Sequence, residues 1–472
     1  MNYQTFFLAS DFQLMAEVEN LHARPEYPEQ IQLDLPSGGP GTFDERRRRI
    51  GTVLYDPRIR RYRMWYVASG AYNGTLADGN HIGYAESDDG FHWEKPEVGL
   101  YEYHGSRRNN IVFGLPDRMD SASVLLDSDG KFKMAVMNAQ VLKSRLQADS
   151  STHVRLPEPA FMGIAESIDG VQWHFDSDAT PAIQEKFEIG RLLKEGDCYI
   201  MNGQQSYPYI NHPNGNRCVV FYRSTDLKHW EKISQYYSFD NGKYDQTHCG
   251  IAPCLKIGAT HVGLAGRFYE APELPEQSFE ADLVYSHDGC EWVPPFPAST
   301  WLRRGVPGAW NGGGVCQGQG YAEDGDTMYF YFSGSNCGND LSSSYTPAAA
   351  RFKTNRFAFA GIAVYWDIGY TGIRHGMLRT PVAARGPIGR IVLNCTNFTG
   401  PGCLRVSLTD ESGNTIPHFS TGDSLPITQD GIAVPVLWNH SFSLPEHFSI
   451  RVDFQGKGLC PELPKLYTIA TI

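Results

Sequence analysis

Short stretches in which apolar and polar residues alternate recur along the chain, at 49–55, 62–68 and 81–86 in the first hundred residues, while helical periodicity is nearly absent. Period-two alternation places one set of side chains on a buried face, so these stretches predict β-strands. After every third strand comes a turn of the pattern S-x-D-G-x-x-W. The copies are Ser87-Asp88-Asp89-Gly90-Phe91-His92-Trp93, Ser167-Ile168-Asp169-Gly170-Val171-Gln172-Trp173, Ser224-Thr225-Asp226-Leu227-Lys228-His229-Trp230 and Ser286-His287-Asp288-Gly289-Cys290-Glu291-Trp292. A degenerate fifth is Tyr365-Trp366-Asp367. Ser and Asp oxygens accept backbone N–H bonds, Gly permits positive φ and Trp covers the turn, which gives these residues a folding role.

Three strands before each turn and one after make a repeat of about 60 to 80 residues, the signature of a propeller blade. The pattern predicts an all-β fold: a five-bladed β-propeller over 1–384, with residues 1–40 packing on it, and a small β-sandwich over 385–472. The sandwich expectation rests on β-rich runs at 390–393, 404–408, 448–454 and 466–469, separated by Gly- and Pro-rich turns. Its expected role is a lid or brace for the propeller.

Composition narrows the function classes. A formal charge of −12 without an extended basic face argues against nucleic acid. No segment approaches the roughly 18 apolar residues of a membrane span. The N-terminal segment lacks a basic region before its apolar residues, which gives the expectation of a cytoplasmic protein. The ten cysteines are widely and irregularly spaced, so they read as mostly buried thiols, with neither a metal site nor a disulfide framework; no cofactor is implied. Aromatic residues make up 12%, and rings in loops can stack on sugars.

In a propeller the first strand of each blade lines the axis. Aligning first strands on their apolar centres sets Val53 against Val124, Met201, Pro253 and Val315, and four residues earlier stand Arg49, Asp120, Asp197, Cys249 and Asn311. Two acids on neighbouring blades at one mouth suit acid–base chemistry, because burial and mutual repulsion raise one pKa so that one carboxyl donates a proton while the other stays ionised. Glu45, Gln204, Asp245, His248, Arg267, Glu270 and Trp310 are close enough in sequence to join the rim.

The chain resembles the superfamily of five-bladed propellers that includes glycoside hydrolase families 32, 43 and 68, and most closely family 32-like proteins in which a propeller precedes a short sandwich. The residues that carry this are Gly51-Thr52-Val53-Leu54-Tyr55-Asp56-Pro57, Tyr62-Arg63-Met64-Trp65-Tyr66, the segment from Tyr84 through the first turn to Pro96, and Gly308-Ala309-Trp310-Asn311. The N-D-P-N, R-D-P and E-C motifs of family 32 itself are absent. The resemblance implies three carboxylates on the first three blades, acting as base or nucleophile, stabilising acid and proton donor. Arg49 occupies the first-blade register, so the first-blade acid would be Glu45 or Asp44.

These readings lead to a glycoside hydrolase with catalytic Asp197, Asp120 and Glu45, and with Arg49, Gln204, Asp245, His248, Arg267, Glu270, Trp310 and Asn311 binding a carbohydrate. The expected stereochemistry is inverting, with Asp197 the donor and Glu45 activating water. A glycoside phosphorylase, in which Arg49, Arg267 and His248 hold phosphate, and a non-catalytic carbohydrate-binding propeller are the alternatives.

Overall fold

The computed structural model describes residues 3–70, 80–117, 122–137, 162–175, 183, 187–206, 217–236, 246–269, 277–296, 300–338, 342–363, 374–396, 398, 402–456 and 463–472. All regular elements among them are strands. The predicted runs at 49–55, 62–68 and 81–86 fall inside Arg47–Asp56, Arg61–Ser69 and Asn80–Ser87.

Antiparallel pairing groups the propeller strands into five successive units, and single parallel bridges join the fourth, fifth and first into one sheet. The first is Arg47–Asp56, Arg61–Ser69, Asn80–Ser87 and Ile111–Asp117; the second is Ser123–Leu126, Phe132–Met137, Met162–Ser167 and His174–Phe175. The third is Glu188–Glu195, Cys198–Ser206, Arg217–Ser224 and Glu231–Tyr236. The fourth is Gln246–Ile257, Thr260–Tyr269, Ser278–Ser286 and Thr300–Leu302. The fifth has Gly314–Asp324, Thr327–Ser335 and Tyr345–Lys353, and its outer strand is Glu29–Gln32 from the far N-terminal side. Joining the two ends of the chain in one blade closes the ring and removes an open sheet edge.

Apolar cores lie between consecutive blades. Trp65, Tyr84, Phe132 and Met134 fill the seam of blades one and two, and Phe187, Met201, Tyr222 and Leu227 belong to that of blades two and three. The turn motif forms these seams. In the first copy Ser87 Oγ accepts from Gly90 N at 2.8 Å, Asp89 Oδ1 accepts from Phe91 N and His92 N, and Trp93 Nε1 donates to Gly90 O. Tyr331 of the fifth blade also donates to Gly90 O, and Trp65 of the first blade donates to Gly170 O of the second. Each motif thus closes its own hairpin and clasps the preceding blade. The degenerate fifth copy lies outside the described residues.

The sandwich is two sheets around its own core, which includes Leu378, Leu393, Val406, Ile450, Phe454 and Ile469. Its C-terminal strands Ile391–Thr396, Cys403–Thr409, His447–Gly456 and Lys465–Thr471 match the four predicted runs. The domain boundaries differ from expectation. Thr5–Leu8, Glu17–Glu19 and Leu21–Pro25 are sandwich strands, as are Ala358–Ile362 and Arg374–Ala384, and Glu29–Gln32 is a propeller strand. Alternation locates a strand but not its sheet, so residues 1–25 could not be separated from the propeller by pattern alone.

Asp11 ties this N-terminal part of the sandwich to the fourth blade: its Oδ2 accepts from Thr260 Oγ1 at 2.6 Å and meets His287 Nε2 at 2.8 Å. Both partners lie where the inner strand of that blade ends, opposite to where it starts. The contact fastens the sandwich to the fourth blade at that end. All nine cysteines among the described residues are free thiols, but only four are buried and the other five are half-buried.

Candidate functional site

The axis is closed by polar side chains that pass between inner strands. Thr52 Oγ1 donates to Ala122 O and accepts from Val124 N, and one blade further Ser123 Oγ accepts from Leu192 N at 2.7 Å. The repeated bond makes Val53, Val124 and Leu192 equivalent positions. Gln319, paired in register with Thr52, accepts from Ser123 Oγ and donates to Leu192 O. Gln317 Nε2 donates to Gly250 O. Packing this tight requires glycine at 51, where a Cβ would meet Ala122 O at 2.4 Å.

Arg191 completes the plug. From the third blade it donates to Gly51 O of the first at 3.1 Å and to Gln317 O of the fifth at 3.0 Å. It is 4% exposed. Burial and then the charge of Arg49 bring its pKa down to about 10, so it remains a cation at neutral pH.

These bonds correct the alignment. The inner strand of the third blade is Glu188–Glu195, whereas Met201 lies on its hairpin partner Cys198–Ser206. The four-residue step from Leu192 leads to Glu188, as from Val53 to Arg49 and from Val124 to Asp120. In the fifth blade the residue after Gln319 is the equivalent of Val53, so the step reaches Cys316 and not Asn311. Among the described residues this step gives Arg49, Glu188 and Cys316, and Cys249 stands in the fourth blade by the sequence alignment alone. Arg49 is close enough to act on both Arg191 and Cys316, and burial pushes the Cys316 thiol up to about 11.

Glu188 is the carboxylate that the alignment missed at this step of the third inner strand. Gln204, its register partner and one of the expected rim residues, is buried and donates from Nε2 to Glu188 Oε2 at 3.0 Å. A buried amide with no rotamer freedom to spare holds the carboxylate at one place on the wall.

Asp197 is elsewhere. It is exposed in the turn between the two hairpin strands, nine residues past Glu188, which at the rise of an extended strand is on the order of 30 Å toward the closed face. That face is built from ion pairs. Asp56 accepts from Arg63 and Arg58, at 2.9 and 2.8 Å, Asp127 binds Lys194 and Tyr199, and Glu195 binds Lys256 and His261. The Asp56 pairs lie within the first blade, and those of Asp127 and Glu195 join neighbouring blades.

The remaining expected residues divide three ways. Glu45 is in the loop just before the first inner strand, at the mouth, where its Oε2 accepts from Gly41 N at 2.7 Å; Asp44 beside it is buried against Tyr66 and Lys95. Arg267 is a buried partner of Asp282, and Trp310 stacks on Phe332 at 5.9 Å while Asn311 donates to Gln30. These last three make contacts within the scaffold. Asp120, Asp245 and Glu270 lie outside the described residues, and of His248 only the backbone, in register with Arg267, is described. Among the described residues no three His, Cys, Asp or Glu side chains are grouped to hold a metal ion.

No protein-family model matches the chain, and no curated protein sequence matches it. Solved structures do. It is similar to an N-acetylgalactosamine deacetylase from F. plautii in complex with blood group B trisaccharide, at 14% identity and a TM-score of 0.46, over 70% of this chain and 96% of that one. It is similar to a fructofuranosidase from Schwanniomyces occidentalis complexed with fructose, at 12% identity and a TM-score of 0.42, over 94% and 98%. A third is a glycoside hydrolase of the GH130 family of mannoside phosphorylases that targets β-1,2 mannosidic linkages in Candida mannan, at 13% identity and a TM-score of 0.41, over 70% and 95%. The propeller architecture stands on the strand pairings of this chain and does not depend on these likenesses.

Proposed function

We propose that this chain is a carbohydrate-active enzyme, a glycoside hydrolase whose site is the mouth of the propeller axis on the side where the inner strands begin. The observation that carries the reading is Glu188: a carboxylate on the third inner strand, held by buried Gln204 above a sealed channel floor. A floor sealed by these interstrand bonds suits a site entered from one side, by the end of a sugar chain.

Glu188 takes the role that sequence alignment gave to Asp197, protonating the oxygen of the leaving group. Glu45, at the same mouth from the first blade, supplies the second carboxylate. A pair of carboxyl groups flanking the scissile bond is what glycoside cleavage requires, and their separation sets inversion or retention. The exposure of Asp197 in the turn at the far end of the strand favours Glu188 over it as the donor.

The experiment is release of sugar from a panel of aryl glycosides, with and without phosphate, by the wild type and by Glu188→Gln. Phosphate-independent release that the variant lacks supports the reading. Release unchanged in Glu188→Gln would remove Glu188, and release only with phosphate would make the enzyme a phosphorylase.

A further inference from the structure

The connection that closes the ring also carries Glu45. Glu29–Gln32 is the outer strand of the fifth blade and Arg47–Asp56 the inner strand of the first, so residues 33–46 take the chain from the outside of one blade to the axis of the next. Glu45 stands at the end of that connection, and its carboxylate has a fixed seat: Oε2 accepts from Gly41 N at 2.7 Å across a turn in which Gly39 and Gly41 adopt φ of +88 and +82. A seat made by a glycine-rich turn places a side chain only where the turn itself is held, because glycine leaves the backbone many other conformations.

Asp44 holds it. This carboxylate is 1% exposed and divides its two oxygens. Oδ1 faces the turn, accepting from Gly38 N at 3.1 Å and Thr42 Oγ1 at 3.2 Å. Oδ2 faces the blade, accepting from Tyr66 Oη at 3.0 Å and Lys95 Nζ at 2.8 Å. Burial, and then the charge of Asp44, keep the Tyr66 pKa well above the ordinary value of about 10, so the phenol stays a donor. The approach is close: a Cβ at Gly38 would meet Thr42 Oγ1 at 2.5 Å and Asp44 Oδ1 at 2.7 Å. Past Glu45, Arg46 N donates to Ser69 O at 3.3 Å, and the Arg46 guanidinium donates to Gly70 O and to Ser343 O. The backbone of Glu45 is thus fastened on both sides, by Asp44 to the first blade and by Arg46 to the first and fifth.

A buried ion pair is a poor device for stability alone, since apolar residues of similar volume often do as well. Its charge-assisted bonds are short and directional, and they select one geometry. We propose that Asp44 is the positioning residue of Glu45: bonds from Lys95 and Tyr66 on one of its oxygens, and from Gly38 and Thr42 on the other, lock the turn to the first blade and set where the Glu45 carboxylate stands at the mouth. The proposal rests on the reading of Glu45 as the second carboxylate and adds the group that places it. Asp44 meets no substrate in this role and acts through the turn.

The test uses the full chain and two readouts. Lys95→Met removes the cation and keeps the length of the side chain, and Tyr66→Phe removes only the hydroxyl. Lys194→Met, which breaks the pair with buried Asp127 on the closed face, is the control for lost stability. Amide hydrogen exchange over residues 38–45, followed by mass spectrometry, is expected to quicken about tenfold in Lys95→Met and to match the wild type in Lys194→Met. On the best aryl glycoside, kcat is expected to fall about tenfold in Lys95→Met with KM within about twofold, since a misplaced catalytic group loses rate before binding. Where Lys95→Met folds poorly, Tyr66→Phe carries the comparison, with about threefold effects on both readouts. Exchange unchanged in both variants, or quickened equally in Lys194→Met, overturns the positioning role. Faster exchange with unchanged kcat, in an enzyme that Glu45→Gln disables, overturns it as well. Full turnover by Glu45→Gln instead removes Glu45 from the chemistry, and amide exchange alone then decides whether Asp44 sets the turn.

Discussion

Gln204 Nε2 donates to Glu188 Oε2 at 3.0 Å across two strands of one hairpin, joining a residue expected at the rim to the carboxylate that alignment overlooked. The bond gives Gln204 a positioning role. Gln204→Leu is expected to lower kcat by about tenfold, the worth of one hydrogen bond to a charged group, with a smaller change in KM and a circular dichroism spectrum like the wild type. Gln204→Glu, which replaces the donor with a like charge, is expected to lose more. Equal kcat in wild type and Gln204→Leu would contradict this role.

The clasp formed by the turn motif makes a stability prediction that separates backbone strain from contact. Gly90 and Gly130 have nearly the same φ, +78 and +79, but a Cβ at Gly90 would meet Ala322 Cβ at 2.4 Å and Tyr331 Oη at 2.7 Å, while nothing lies within 4 Å at Gly130. Gly130→Ala is expected to cost about 1 kcal/mol from the left-handed backbone alone. Gly90→Ala adds overpacking of about 1–3 kcal/mol. Chemical denaturation of the two variants measures the difference, and equal losses would contradict the blade-to-blade contact.

Acid should unfold the protein in two stages. Burial holds the His261 pKa down in spite of its bond to Glu195, so the folded state favours the neutral ring; that contribution is complete above the ordinary value of about 6.5 and is lost as pH falls below it. Asp89 and Asp127 are held at about 2: burial pushes each up, but hydrogen bonds, from His92 to Asp89 and from Lys194 and Tyr199 to Asp127, more than offset it. Their contributions are complete above the unfolded value of about 3.9 and disappear between about pH 4 and 2. A melting temperature followed from pH 8 to 2 should decline below about 6.5 and fall most steeply below 4, with His261→Gln removing the first stage. A melting temperature constant from 7 down to 4 would contradict the role of His261.

The architecture was legible because its signals are local. The spacing of Ser87, Asp89, Gly90 and Trp93 is a turn with its own hydrogen bonds, and four such turns count most of the blades. Even Leu227 kept its copy readable, since it adopts φ +63 in the place of glycine and buries its side chain in the seam. The site was less legible because it depends on register. Strands Glu188–Glu195 and Cys198–Ser206 are both part-apolar halves of one hairpin, and pattern alone does not say which faces the axis. Only the bonds Val124 N to Thr52 Oγ1 and Leu192 N to Ser123 Oγ make that choice. Trp310 and Asn311 carry contacts that the pattern does not reveal, stacking on Phe332 and a bond to Gln30.

The most direct test of the account compares Glu188→Gln with Asp197→Asn on the best aryl glycoside found for the wild type. The two residues stand nine positions apart on one hairpin, one at the mouth of the axis and one in an exposed turn on the closed face. A positioned proton donor contributes about 10²- to 10⁴-fold to the rate. kcat/KM is expected to fall by that range in Glu188→Gln and to stay within about twofold of wild type in Asp197→Asn. Loss of activity in Asp197→Asn with Glu188→Gln unimpaired would place the chemistry at the other end of the propeller and contradict the account.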